Sequence, residues 1–284
     1  MTRARIACNV CLLLTAVVVC LPLLWMVMSS VKPQADIFAW PPRLFPTSIT
    51  FDHYLRVLQE TNFPRYFLNS IIVAIAVVVT NLAIAVPAGY AFARLPIPGR
   101  DFAFLVVLGT MMIPSHVTTI PLFILARNFP LVGGNDLTGA GGTGLLDTYL
   151  GIALPHLVLT FAIFLSRQFF LDLPGEIRDS GRIDGASEFR IFASLYLPIS
   201  LPIVATVAIF SFVTAWDDFF WPLVITTSDS MRTAQIGLSV FRSQFSSEWG
   251  ALFAASVLVI LPVVLVFLFN QRFFIRGLAT GATK

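Results

Sequence analysis

Six long apolar runs divide this chain, at about Ile6 to Met28, Phe67 to Ala91, Phe102 to Ala126, Thr148 to Phe169, Ile199 to Trp221 and Gly250 to Phe269. A helix needs roughly 20 residues to cross a ~30 Å hydrocarbon core, and each run is near that length. Charged residues make up 12% of the 284, where a soluble domain carries about a quarter. The chain therefore lacks the polar surface to coat a sphere in water. The expected fold is all-α: a polytopic membrane protein with six transmembrane helices in one bundle. No remaining stretch is long enough to fold as a separate soluble domain.

The first run follows Arg3 and Arg5, as a secretory signal would. It is too long for a typical signal core, and no small-x-small cleavage site precedes a mature domain, so it reads as an uncleaved anchor. Cys8, Cys11 and Cys20 all lie within it. A single Cys-x-x-Cys without a second pair is a weak metal or redox signal, and in lipid a thiol behaves as a small apolar side chain. Val19 before Cys20 argues against a lipoprotein cleavage site.

A net charge of +3 and a pI near 9.0 invite a nucleic-acid reading, but the placement of the cations explains them better. Six spans put both termini on one side. Eleven of the 18 Lys and Arg residues then fall in the N-terminus, the turn after the second run, the loop from Arg167 to Leu197 and the C-terminus. Cations collect on the cytoplasmic face, so the expected orientation is N-in and C-in.

Outside the membrane lies a Pro-rich stretch from Ser29 to Tyr66, in which FDHYLRVLQET reads as a short amphipathic helix with Tyr54, Leu55 and Leu58 on one face. His53 reads there as a solvated residue. Pro114 and Pro121 interrupt the third run, which neighbouring helices and hydroxyls can accommodate. Asn128 to Asp147 holds a formal G-x-G-x-x-G at Gly139, Gly141 and Gly144. With no preceding strand or βαβ unit it is not a dinucleotide site; it reads as a flexible external linker. No Gly-Lys-Ser/Thr occurs, so the chain has no phosphate-binding loop of its own.

One densely charged island, Leu173 to Pro202, must leave the bilayer. Pro174 suits a first helical turn, Gly185 after Asp184 suits a helix stop at positive φ, and Ser187 suits an N-cap. The expected form is helix, glycine turn, then a second short helix ending before Pro198. Ile183, Ala186, Phe189 and Ala193 fall near helical spacing, while Arg178 and Arg182 share another face. Such a pair can fit a groove on a partner, or can be a loop whose charges merely meet water.

A second cluster, Trp216 to Trp221, sets Asp217 and Asp218 among aromatics near the end of the fifth run. Aromatic faces beside carboxylates can hold sugars; the same cluster reads first as an interfacial aromatic belt with water-exposed acids. His116 and His156 read as isolated beside Pro114 and Pro155. No paired carboxylates, metal set or nucleophile with a nearby base are visible, so the chain itself is not expected to be an enzyme.

The island DSGRIDGASEFRIFASLYLPISLP resembles the EAA loop of ATP-binding-cassette importer permeases. FLNSIIVA, AGYAFARLPIPGR, MMIPSHVTTIPLF and AWDDFFWPL are similar to the carbohydrate-uptake branch, near its maltose-type inner subunits. The resemblance implies a type I importer permease fold. Residues 1–66 would be an anchor and external segment, 67–274 the permease domain with its coupling loop at about 171–198, and 275–284 a cytoplasmic tail. Asp179, Ser180 and Gly181 take the places of Glu-Ala-Ala, and Asp184, Gly185 and Ala186 those of Asp-Gly-Ala. With Phe189 they would meet a cytoplasmic ATPase. Asp179 is a methylene shorter than Glu, and Gly181 should loosen the helix by about 1 kcal/mol relative to Ala. Asn69, Trp216, Asp217 and Phe220 are candidates for the translocation path, although relatives usually carry Asn where Asp217 stands.

The implied activity is import of a sugar or sugar-like solute across a bacterial cytoplasmic membrane. The implied partners are a second permease subunit, cytoplasmic ATP-binding subunits and an extracytoplasmic solute-binding protein, with the lipid bilayer as surroundings and no nucleic acid. No cofactor is expected in this chain; ATP and magnesium would bind the ATPase. The rival readings are an ion-coupled secondary carrier, whose uptake an uncoupler would abolish, and a membrane scaffold subunit, which would bind partners without stimulating ATP turnover.

Overall fold

The computed structural model describes residues 3–244 and 248–281, with backbone alone at 3–6, 240, 242–244 and 272–281. No strand occurs among the described residues. The chain forms two units, Met1–Phe67 with Ala234–Pro262 and Leu68–Thr233 with Val263–Lys284.

In the first unit, α1 (Arg3–Ser30) is apolar on all sides, as a lipid-facing span must be. Two short helices follow, α2 (Gln34–Ile37) and α3 (Asp52–Gln59). The expected apolar face of α3 is corrected here. Leu55 and Leu58 stay exposed, while His53 and Val57, one turn apart, are buried. His53 is no solvated residue: its Nε2 lies 2.9 Å from the carbonyl of Lys32, and its ring fills the space a Cβ would need at Gly250. A polar ring can serve as a core residue when its nitrogen finds such a partner.

Among the described residues, three helices are long and apolar enough to span a membrane: α1, α4 (Phe63–Arg94) and α15 (Trp249–Gly281). Three bent pairs raise the number to six if each is one span. The first pair joins α5 (Arg100–Thr110) to α6 (Ser115–Arg127) at 96°. Its break falls at Pro114, whose extended backbone starts α6, while Pro121 stays inside that helix. A residue before proline avoids helical backbone, so Pro114 ends the turn ahead of it.

The second pair runs from α7 (Tyr149–Ala153) through a tight turn at Leu154–His156 to α8 (Thr160–Asp172), bent by 48°. The island then forms α9 (Glu176–Ile183), α10 (Glu188–Ile191), a wide π turn at Phe192–Tyr196 and α11 (Leu197–Ile199). The chain bends 83° between that segment and α12 (Leu201–Trp216). The second short helix does not end before Pro198 as its sequence suggests. The Leu197 N–H reaches back to Phe192 O, so Pro198 falls in a new first turn, where its missing N–H is not needed. After α13 (Phe220–Ile225) and a turn at Asp229–Met231 comes α14 (Ala234–Gln244).

The core of the second unit is an aromatic cluster beneath the island. Tyr90 of α4 packs on Phe170 of α8 and on Phe192 and Tyr196 of the π turn, with ring centroids 5.0–5.5 Å apart. The backbones of α4 and α8 approach closely one residue earlier. A Cβ on Gly89 would lie 2.8 Å from the Arg167 nitrogen and closer still to Ser166. Small residues let membrane helices pack this tightly.

The glycine-rich stretch 128–147, expected as a flexible external linker, is held by its own hydrogen bonds. Asn135 is buried and donates to the carbonyls of Arg127 and Phe129, while Gly142 N–H donates to its Oδ1. Asp136 Oδ1 accepts from the N–H groups of Thr138 and Ala140. The glycines at positive φ supply the turns that these bonds require.

Candidate functional sites

The island forms a closed bracket. Helix α9 stops in a two-bond glycine cap, in which Gly185 N–H donates to Arg182 O at 3.0 Å and Ala186 N–H to Gly181 O at 3.0 Å. Gly185 holds φ at 73°, as such a cap requires. Ser187 then caps α10 by accepting the Arg190 N–H. The two helices are braced by side chains outside the Asp179–Gly181 and Asp184–Ala186 triplets. Arg178 Nη2 and Nε donate to the two oxygens of Glu188 at 2.7 and 3.1 Å, and Arg182 Nε donates to the first at 3.1 Å. The Arg178 bonds hold the Glu188 carboxyl below its usual range.

Gly181 is buried against α10 and the π turn. A Cβ there would sit 2.8 Å from Ile191 Cγ1 and 2.9 Å from Leu195 Cδ1, so glycine gives up helix propensity for closer packing. Asp179, Ser180, Asp184 and Gly185 are all exposed and Ala186 is half-buried. Two large apolar side chains stand in the open on this charged element, Ile183 at 86% and Phe189 at 79% exposure. At the root of the bracket, Arg94, the last residue of α4, donates to Phe170 O at 3.0 Å and also to Leu173 O. It caps the end of α8 where the island begins.

The second site lies where two broken spans meet the end of α12. A cavity of about 400 Å³ is lined from α6 by His116, Thr118 and Thr119, from the α7–α8 break by His156, and from beyond α12 by Asp218 and Phe220. The two histidines are not isolated, contrary to expectation. His156 Nε2 lies 2.7 Å from Asp218 Oδ2, and the His116 ring meets Phe220 edge-on with centroids 5.2 Å apart. Asp218 Oδ1 also accepts the Trp221 N–H. The α7–α8 break is completed by Asn81 of α4, which donates to His156 O at 2.8 Å and accepts the Leu159 N–H at 2.7 Å.

Of the four residues expected along a path, Phe220 alone lines this cavity. Trp216 is buried and stacked on Phe212. Asp217 is exposed at the end of α12. Asn69 is fully buried, donating to Ser230 O and Arg232 O at 2.8 Å and accepting from the Tyr149 hydroxyl. Its amide is occupied in holding chain segments together. Among the described residues no group of three or more His, Cys, Asp or Glu is placed to hold a metal.

Comparison with known proteins gives a consistent set of likenesses. Residues 85–279 match the family described as the binding-protein-dependent transport system inner membrane component. The chain is 35% identical over 266 residues to the arabinooligosaccharides transport system permease protein AraQ of Halalkalibacterium halodurans, covering 93% of this chain and 90% of that one. It is 32% identical to the diacetylchitobiose uptake system permease protein NgcG of Streptomyces coelicolor, covering 96% and 87%. It is 29% identical to the sn-glycerol-3-phosphate transport system permease protein UgpE of Yersinia pestis, covering 96% and 95%. The fold matches a chain in the crystal structure of a bacterial ABC transporter involved in the import of the acidic polysaccharide alginate. There the TM-score is 0.81 at 24% identity, over 96% of this chain and 99% of that one.

Proposed function

This chain belongs to the binding-protein-dependent transport system inner membrane component family, and we propose that the island at 176–199 is where it is driven. The protein is a permease subunit of a sugar-type ATP-binding-cassette importer. Family membership implies work alongside ATPase and binding-protein subunits. In this reading the second permease chain is a different subunit, ATP and magnesium bind the ATPase alone, and this chain carries no catalysis. The membrane is the bacterial cytoplasmic one, with both termini and the island inside.

The observation that carries the reading is the braced bracket with Ile183 and Phe189 exposed on it. Exposed large apolar groups rimmed by charge mark a protein interface, and a rigid element passes on a push that a flexible loop would absorb. The push has a route, because the π turn and Arg94 tie the bracket to the aromatic cluster of α4 and α8. Closure of an ATPase pair around the bracket would thereby tilt those two helices together.

The test is Gly185→Val in the complete importer. Nothing lies within 4 Å of a Cβ at Gly185, so the cost is backbone conformation alone, about 1–2 kcal/mol. The bracket should misalign, leaving ATP hydrolysis running while sugar uptake falls. Unchanged uptake per ATP would remove the bracket from the mechanism. Asp179→Lys should lower recovery of the ATPase on co-purification, and full recovery would show that Asp179 makes no contact.

A further inference from the structure

We propose that this chain contributes its own solute-binding station, the cavity between α6, the α7–α8 break and Phe220, and that it accepts a neutral polyhydroxylated ring while rejecting phosphate esters and uronates. The proposal rests on the import reading above and adds the chemical class of the cargo. At about 400 Å³ the cavity falls within the ~300–1,000 Å³ typical of small-molecule sites.

The hydrogen bonds already made in the wall decide which ligand fits. Thr118 and Thr119 both donate their hydroxyl hydrogens to Ser115 O, at 2.8 and 3.3 Å. Each hydroxyl oxygen is left to accept. The Asp218 oxygens each accept one bond, from His156 and from the Trp221 N–H, and each has a lone pair remaining. These four oxygens thus ask for O–H donors, which sugar hydroxyls supply and ionised phosphate or carboxylate oxygens do not, while the Ser115 and Thr214 hydroxyls and the His116 imidazole in the same lining can donate to a sugar's own oxygens. No Lys or Arg lines the cavity among the described residues, and of its two histidines His156 is already bonded to Asp218, so an anion would face the Asp218 carboxylate with no permanent counter-charge. Phe220, 45% exposed, gives the apolar surface against which a ring's C–H face can pack.

The cavity is also supported by its surroundings. The α5–α6 and α7–α8 breaks meet there beside the end of α12, and Asn81 satisfies the backbone groups that the α7–α8 break opens. Unwound backbone at membrane depth is tolerated where protein or an aqueous cavity satisfies it, and transporters place solutes at such breaks.

The experiment uses the complete importer in proteoliposomes, with Cys8, Cys11 and Cys20 changed to alanine and Thr119→Cys introduced. Thr118→Cys serves as a second reporter if the first fails to assemble, and Ile97→Cys in the turn after α4 serves as the control. An aqueous maleimide labels the new cysteine during vanadate-arrested turnover, with arabinotriose, diacetylchitobiose, glycerol 3-phosphate or a uronate disaccharide present. A neutral sugar that stimulates ATP hydrolysis by the wild-type importer should slow labelling about tenfold near saturation. The anions should leave labelling unchanged, as should every sugar at Ile97→Cys. Stimulation without protection, or equal protection by an anion, would overturn the cavity proposal alone. Failure of every carbohydrate to stimulate the wild-type importer would overturn the import reading and this proposal with it.

Discussion

Glu188 follows the N-cap of α10 by one residue and accepts from two arginines on the preceding helix. Hydrogen bonds to charged groups contribute about 1.5–3 kcal/mol, and partial exposure of Glu188 brings this nearer ~1 kcal/mol. Glu188→Gln should therefore lower uptake per ATP hydrolysed while the complex still assembles, which proteoliposome assays would register. The pH dependence follows from the lowered Glu188 pKa. The stabilisation is complete above the unfolded glutamate value of about 4.3 and is lost only as pH falls through the lower folded value. Coupling should not change between pH 8 and 5 on account of this brace, and the acid limb below should vanish in Glu188→Gln. The same scale shows what Gly181 does. Its loss of helix propensity is legible in sequence, but the reason for it, the approach of Ile191 and Leu195, is not.

Helices in this protein meet at points where a single side chain or its absence decides the contact. Gly89→Val would push branched methyl groups against the Arg167 backbone, which cannot rotate away as a side chain does. Overpacking of this kind costs about 1–3 kcal/mol or more. The expected result is a lower thermal midpoint of the purified importer and poor recovery of this subunit, measured by fluorescence-detected size exclusion. Asn81→Leu keeps the volume of the site but leaves His156 O and the Leu159 N–H without partners. Each buried unsatisfied group costs about 1–3 kcal/mol. Hydrogen exchange at the α7–α8 break should rise sharply in that variant and stay unchanged in the glycine-rich loop. The island was legible as an element because its glycine stop and serine cap are local signals. The π turn was not, since Pro198 alone reads as a stop, and only the return bond from Leu197 to Phe192 carries the helix past it.

At the scale of the whole chain, the described helices include three long enough to cross a membrane, or six if each bent pair is one span, and the distribution of Lys and Arg predicts that both termini lie inside. With the native cysteines removed, Ile97→Cys should react only when reagent reaches the cytoplasmic side, and Thr138→Cys only from outside. The reverse pattern, scored by labelling of intact cells, would invert the assigned topology. Apolar run length and the island's cap residues determined the helical membrane fold and the helix–turn–helix form of the island from sequence alone, and charge placement gave the expected orientation. These are local quantities, because the bilayer acts as a solvent on each segment by itself. The tertiary structure alone decided which polar groups meet inside. His156 and Asp218 are 62 residues apart in the chain, Asn81 reaches a carbonyl 75 residues away, and Asn69 bonds across more than 160. A buried polar group must find a partner wherever packing puts one, and periodicity carries no record of that choice. So the cavity, unlike the island, became visible only when two broken spans and the end of α12 were brought together.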